Sequence, residues 1–152
     1  MNVFDEFYRI VEHFQNEGIA YALVGGVAMA FHTEPRFTKD IDLLIRHADF
    51  VRTHDILTNA GYSQSAPPWT FKKSALTLHR FLKVENDDEM VIDILVAGDR
   101  DNQRIIDNAL DANSEKWGVI KVATKEDLIR LKRRRNSKQD QVDIERLMDE
   151  KP

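Results

Sequence analysis

Three aspartates stand where carboxylates are expensive. Asp40 and Asp42 flank Ile41 at the head of the run Asp-Ile-Asp-Leu-Leu-Ile, and Asp93 interrupts the aliphatic run Val91 to Val96. Desolvating an isolated ion costs several kcal/mol even after relaxation, so each acid needs a compensating partner. A cation supplies it directly. Residues two apart on a strand project from the same face, so Asp40 and Asp42 point together, and Asp93 on a neighbouring strand would complete an oxygen-rich set. Hard oxygen donors of this kind suit magnesium, which takes few carboxylates and fills its remaining positions with water and substrate phosphate. Upstream, Gly25-Gly26 separates a short apolar run from a helix-compatible one. Glycine lets backbone approach a phosphate, and a following helix start offers free N–H groups. The pair matches neither a P-loop nor a G-x-G-x-x-G fingerprint, so its meaning comes from the acids that follow it.

The elements that must hold these residues are readable from periodicity. Phe4, Phe7, Tyr8, Val11 and Phe14 recur at helical spacing and Gly18 follows, which predicts a helix over 3–17. Residues 19–24 read as a strand, 27–32 as a helix after the glycine turn, and 40–45 as a strand carrying acid at one end. A helix is predicted over 48–60, stopped by Gly61, and Pro67-Pro68 marks a loop. Residues 75–84 and 90–96 flank 85–89 like a hairpin. A helix near 102–110 and a strand at 119–122 follow, then Thr124-Lys-Glu-Asp127 reads as a capping box opening a helix to about Arg135, with a last helix over about 139–149. Without repeats or linkers, these elements predict one α/β (α+β) domain over residues 1–152, sharing a single mixed-sheet core.

Composition narrows the function. A formal charge of -4 excludes non-specific coating of nucleic acid, though a local basic patch remains compatible with it. Cysteine is absent, which removes thiol catalysis, disulfides and cysteine-zinc sites. The five histidines include no H-E-x-x-H pair, and His47 and His54 are seven apart, so a histidine metal site is not expected. No apolar run approaches the ~20 residues that span a bilayer, and the first residues lack a leader pattern, so the expectation is a cytoplasmic protein with no membrane role.

The stretch Leu23-Val-Gly-Gly26, thirteen further residues, and the Arg36-Phe-Thr-Lys-Asp-Ile-Asp-Leu43 segment resemble the signature of the nucleotidyltransferase fold of the DNA polymerase β superfamily. The form is most similar to its small bacterial branches, which include AbiEii-type toxins and aminoglycoside or lincosamide nucleotidyltransferases. The resemblance spans about residues 4–96. Leu128-Ile-Arg-Leu-Lys132 with Asp140-Gln-Val-Asp143 also resembles the C-terminal pattern of the toxin-like branch, with the arginine that usually precedes the acid displaced. The resemblance implies a mixed sheet with helices mainly on one face. It also implies magnesium-dependent transfer of a nucleoside monophosphate from a nucleoside triphosphate, such as ATP, to an acceptor hydroxyl with release of pyrophosphate. Asp40, Asp42 and Asp93 would be catalytic and metal-binding, and Gly25 and Gly26 would hold triphosphate oxygens. The acceptor is open: RNA or protein for a toxin-like enzyme, a small molecule for an antibiotic-resistance enzyme. A partner protein or a second copy could complete the cleft.

Other residues carry two readings each. Arg36 anchors the loop before Asp40 or touches phosphate. Lys132, four residues after Leu128, lies along the apolar stripe of its helix, where a long cation either reaches a phosphate or snorkels. Asp140 has no role fixed by the sequence. Arg133 and Arg134 read as a solvated helix end, Trp69 and Phe71, beside Pro67-Pro68 and Lys72-Lys73, as residues buried against the sheet or else as an acceptor or base-stacking loop, burial being preferred, and His79 as a strand residue able to line the cleft. The competing functional classes are a non-catalytic nucleotide-binding or antitoxin-like module, and a metal-dependent phosphotransferase or hydrolase using the same acids.

Overall fold

The computed structural model describes residues 2–33, 40–71, 73–114 and 118–149. The amphipathic N-terminal segment forms α1 (Val3–Glu17), opened by the Asn2 side chain, which accepts from Phe4 and Asp5 N–H, and closed by Gly18 in the left-handed region at φ 68°. It is followed by β1 (Tyr21–Val24), α2 (Gly25–Met29), β2 (Asp40–Arg46), a 3-10 turn at His47–Asp49 and α3 (Phe50–Asn59). Next come β3 (Ser63–Gln64), β4 (Trp69–Phe71), β5 (Leu76–Glu85), β6 (Asp88–Ala97) and α4 (Arg100–Asp107). The chain ends in β7 (Leu110–Ser114), β8 (Gly118–Val122), α5 (Lys125–Arg135) and α6 (Lys138–Met148).

The strands form one mixed sheet in the order β3-β5-β6-β2-β1-β8-β7, with β4 added against β5. The long β5–β6 hairpin turns on Asn86-Asp87, with Asn86 at φ 58°, so it is tighter than the five-residue loop the sequence suggests. β2 runs parallel to β6 and antiparallel to β1, and β1 is parallel to β8. One face of the central strands is apolar: Ile41, Leu43, Ile45, Phe81, Ile92 and Ile94 are fully buried. α1 and α3 pack on that face, with Phe14 edge-on to Tyr21 at 5.6 Å and His54 edge-on to Phe81 at 5.7 Å. Glu6 of α1 accepts from the Tyr62 hydroxyl at 2.8 Å and pairs with Lys83 at 3.1 Å, fixing the hairpin to the first helix. The other face carries the acids, with α5 and α6 at its edge.

Three expectations change in detail. The helix after the glycines begins on Gly25 and ends at Met29, so it is only five residues long and its dipole contributes little. The segment predicted as helix near 102–110 ends at Asp107, and Leu110 begins an edge strand paired with Val122. Trp69, expected to be buried, is 55% exposed, because it sits on the short outer strand β4 rather than in the central sheet.

Candidate active site

Register builds the site. Asp42 of β2 lies directly opposite Asp93 of β6 on one side and Val24 of β1 on the other, so the acid pair and the end of β1 share one row across the sheet. Chain direction changes at Gly25, whose φ of +72° is strained for any residue with a side chain. Space makes the same demand: a Cβ at Gly25 would lie 1.9 Å from the Asp42 carboxylate oxygen. Glycine at 25 is therefore what lets the acid lie against the turn. Gly26 is buried in the first turn of α2. Parallel pairing of Leu23 with Val122, the Ala123 N–H donating to the Leu23 carbonyl at 3.0 Å, and the His32 ring bonded to the Ala123 carbonyl at 2.8 Å bring the start of α5 beside this turn.

The two acids differ in their compensation. Asp93 is buried and receives a two-pronged pair from Arg80, its cross-strand neighbour on β5: Nε donates to Oδ1 at 2.9 Å and Nη2 to Oδ2 at 3.0 Å. That geometry is the strong form of a charge-assisted bond. Asp42 has no such partner. Burial first, then the charges of Asp93 and Asp40 and a hydrogen bond to Asp93, push its carboxyl up to about 7, against a smaller opposing pull from Arg135. Asp40 is exposed at the start of β2 and acts on Asp42 through its charge.

A second polar layer comes from the C-terminal helices. Lys132 Nζ donates to Asp143 Oδ2 at 3.1 Å, with both side chains buried. Arg135 forks onto Asp140, Nε to Oδ2 at 2.8 Å and Nη2 to Oδ1 at 2.6 Å. Asp140 also closes the capping box of α6, accepting from Ser137 N–H and hydroxyl. These donors hold its carboxyl down at about 2 despite burial, which acts the other way. Arg135 at the end of α5 is thus tied to the first turn of α6.

These groups open on one cleft of about 620 Å³, lined by Gly25, Asp42, Asp93, Arg80, Lys132 and Arg135 together with apolar residues of β4, β5, β6 and α5. Of the residues singled out in the sequence, Gly25, Asp42, Asp93, Lys132, Trp69, Phe71 and Arg134 line it; Gly26 does not, and His79, expected to be able to line it, lies instead against Phe50 at 4.1 Å. Arg36 lies outside the described residues. Asp40 is on the same strand face but does not line the cleft, and among the described residues no three acids or histidines converge as a complete metal cluster. Arg80 and Arg135 escaped the sequence reading. Arg80 was recoverable: pairing Glu85 with Asp88 across Asn86-Asp87 sets Arg80 against Asp93.

The donor set bears on magnesium. Asp42 and Asp93 present hard oxygens side by side, and burial together with the charges of Asp93 and Asp40 pushes the Asp42 carboxyl up against a smaller pull from Arg135. That pair fits a divalent ion completed by water and phosphate oxygens. Among the described residues no helix is long and apolar enough to cross a membrane.

Comparison with known proteins adds to this geometry. The sequence pattern of a family described as uncharacterised nucleotidyltransferase matches residues 1–130. No curated protein matches the sequence. Among solved structures, the lincomycin-bound lincosamide antibiotic adenylyltransferase LnuA superposes with a TM-score of 0.60 at 17% identity, covering 95% of this chain and 96% of that one. A putative nucleotidyltransferase from Thermotoga maritima gives 0.64 at 14% identity, covering 91% and 89%. ANT(2'')-Ia in complex with adenylyl-2''-tobramycin gives 0.62 at 15% identity, covering 94% and 86%. At these identities the likeness establishes a shared fold.

Proposed function

The chain belongs to a family of nucleotidyltransferases, and from that premise we propose that it transfers a nucleoside monophosphate from a nucleoside triphosphate to an acceptor hydroxyl, with magnesium, releasing pyrophosphate. The observation that carries this reading is the registered pair of Asp42 and Asp93 against the Gly25 turn, with Asp93 paired to Arg80 and the Asp42 carboxyl raised by burial and by its acidic neighbours. Bound magnesium would neutralise the carboxylates and the triphosphate and stabilise charge on the attacking and leaving oxygens. The chain supplies the rest. Asp42 and Asp93, on two adjacent strands, would hold the ion together with Asp40. Gly25 and Gly26 admit phosphate oxygens to the backbone. Lys132 and Arg135, lining the same cleft, place positive charge beside the acids, and a role of Arg36 toward phosphate rests on the sequence resemblance alone.

In the transfer, the acceptor oxygen forms a bond to the α-phosphorus as the bond from that phosphorus to the α–β bridging oxygen breaks. The electron pair leaves with pyrophosphate, and the acceptor proton passes to Asp93. Catalysis of this kind is chiefly positioning and charge stabilisation, which suits a site built on central strands.

One observation favours a second reading. Arg80 already satisfies Asp93; a chain in which that pair never opened would be a non-catalytic nucleotide-binding module. Calorimetric titration of ATP, GTP, CTP and UTP into wild type and Asp42→Asn, with and without magnesium, separates the two. Magnesium-dependent binding that disappears in the variant supports the enzyme. Binding that ignores both magnesium and the substitution supports the module.

A further inference from the structure

The cleft is laid out in rows, and those rows assign a place and a chemical class to the acceptor; the assignment rests on the nucleotidyl-transfer reading above. Pairing across β1, β2, β6 and β5 sets Val24, Asp42, Asp93 and Arg80 in line. Two residues along the same face run Leu44, Leu95, Leu78 and Trp69. At a rise of ~3.4 Å per residue this apolar row lies about 7 Å from the acid row. Phe71 opposite Leu76 extends it. The Gly25 turn, at β1, and the aromatic strand β4 therefore stand on opposite sides of the acid pair.

In-line displacement requires the attacking oxygen to approach opposite the leaving pyrophosphate. With the phosphates against Gly25, the hydroxyl must arrive from the β4–β5 side. The wall there is Trp69, Phe71, Leu76, Leu78 and Leu95, all lining the cleft. Trp69 is 55% exposed, edge-on to Phe71 at 5.4 Å, so its own fold leaves a large aromatic surface open. The wall is held in place: Ser74 and Ala75 N–H donate to the Phe71 carbonyl at 3.2 and 3.0 Å, Asn102 Nδ2 donates to the Ser74 carbonyl at 2.6 Å, and Gly98 N–H to that of Ala75 at 2.9 Å. A platform fixed in advance costs little ordering on binding.

Charge selects further. Lys73, Arg80 and Arg134 line this side, while the carboxylates lining the cleft among the described residues are Asp42 and Asp93. Arg80 is already paired with Asp93, so repulsion of a cationic acceptor comes from Lys73 and Arg134, and contact with the Trp69 face does not offset it. We propose that Trp69, Phe71, Leu76, Leu78 and Leu95 form the acceptor subsite, and that it takes a hydroxyl carried on a ring body with a flat apolar face and no net positive charge.

The test uses two probe acceptors, 4-nitrophenyl β-D-glucopyranoside, which is neutral with an aromatic face, and tobramycin, a polycation. Each is titrated by calorimetry into the full chain saturated with magnesium and a non-hydrolysable ATP analogue, for wild type, Trp69→Ala and Leu78→Asn. The neutral glycoside should bind wild type and weaken roughly tenfold or more in both variants, the scale of losing a central aromatic anchor, while tobramycin should not bind. Nucleotide affinity should stay within about twofold in Trp69→Ala, since that side chain lies away from the phosphates. A variant that loses nucleotide instead makes the wall a nucleobase site and overturns the proposal. Tobramycin binding as tightly as the glycoside, or no glycoside binding to the nucleotide-loaded chain, also overturns it. Failure of wild type to bind magnesium nucleotide at all would strike the transferase reading itself.

Discussion

Replacing Arg80 with glutamine tests whether its guanidinium holds the place a metal takes. In wild type the Asp93 side chain is 7% exposed and carries a two-pronged pair, while Arg80 itself is 46% exposed. Stranding one member of a fully buried pair costs ~3–5 kcal/mol, but the half-exposed guanidinium is partly screened. The value for hydrogen bonds to a charged group, about 1.5–3 kcal/mol, is the better guide. Without metal, Arg80→Gln should therefore melt roughly 5–10 °C below wild type, at the few degrees per kcal/mol usual for this size. Magnesium reverses the order. An ion entering wild type must displace the guanidinium, whereas in the variant it meets two acids without that pair. The same energy then appears as magnesium binding about 10- to 150-fold tighter in Arg80→Gln, at tenfold per 1.4 kcal/mol. Calorimetric titration of magnesium chloride without nucleotide, with melting in chelator and in excess magnesium, reads both quantities. Equal magnesium affinity in the two proteins would refute the exchange and leave Arg80 a structural strand pair.

Other substitutions test neighbouring parts of the site. Gly25→Ala places a methyl where the Asp42 carboxylate lies, 1.9 Å from its oxygen, at a φ of +72°; it should destabilise the chain by about 1–3 kcal/mol and remove magnesium-dependent nucleotide binding, both measurable by melting and calorimetry. The raised carboxyl of Asp42, about 7 against 3.8 when unfolded, keeps a proton in the folded chain that the unfolded chain loses. Its contribution to stability is full below pH 3.8 and declines as pH rises through about 7, at up to ~1.4 kcal/mol per pH unit. Urea denaturation in chelator should show that decline in wild type and a flatter profile in Asp42→Asn. Lys132→Ala removes the ion-pair partner of the buried Asp143, which keeps the Gln139 amide at 2.9 Å, and should cost about 1.5–3 kcal/mol, whereas Lys132→Met with Asp143→Leu should recover most of it; if the double variant regains stability but not triphosphate affinity, the lysine contacts nucleotide as well.

What could be read without coordinates follows from how local each signal is. Helix α1 was legible because its apolar stripe and Gly18 stop lie within one segment. The pairing of Asp42 with Asp93 was expected because two aliphatic strands each carrying a stranded acid have few other ways to satisfy them. The tiny strands β3 and β4 were not legible. They are two and three residues long, too short for an alternation, and exist because the long β5 offers an edge to pair with. Trp69 was misread for that reason: an aromatic on a central strand would be buried, and nothing within its own segment shows that its strand is the outermost. The cationic wall fails differently. Three consecutive arginines at the end of a helix look like a solvated terminus, and Arg135 stands out only because α6 folds back to set Asp140 against it. A carboxylate in an apolar run announces its need from sequence, since the cost of burying it is paid wherever the run packs. The cation that meets the need is ordinary in its own segment, and only the pairing of distant segments shows which of the chain's basic residues it is.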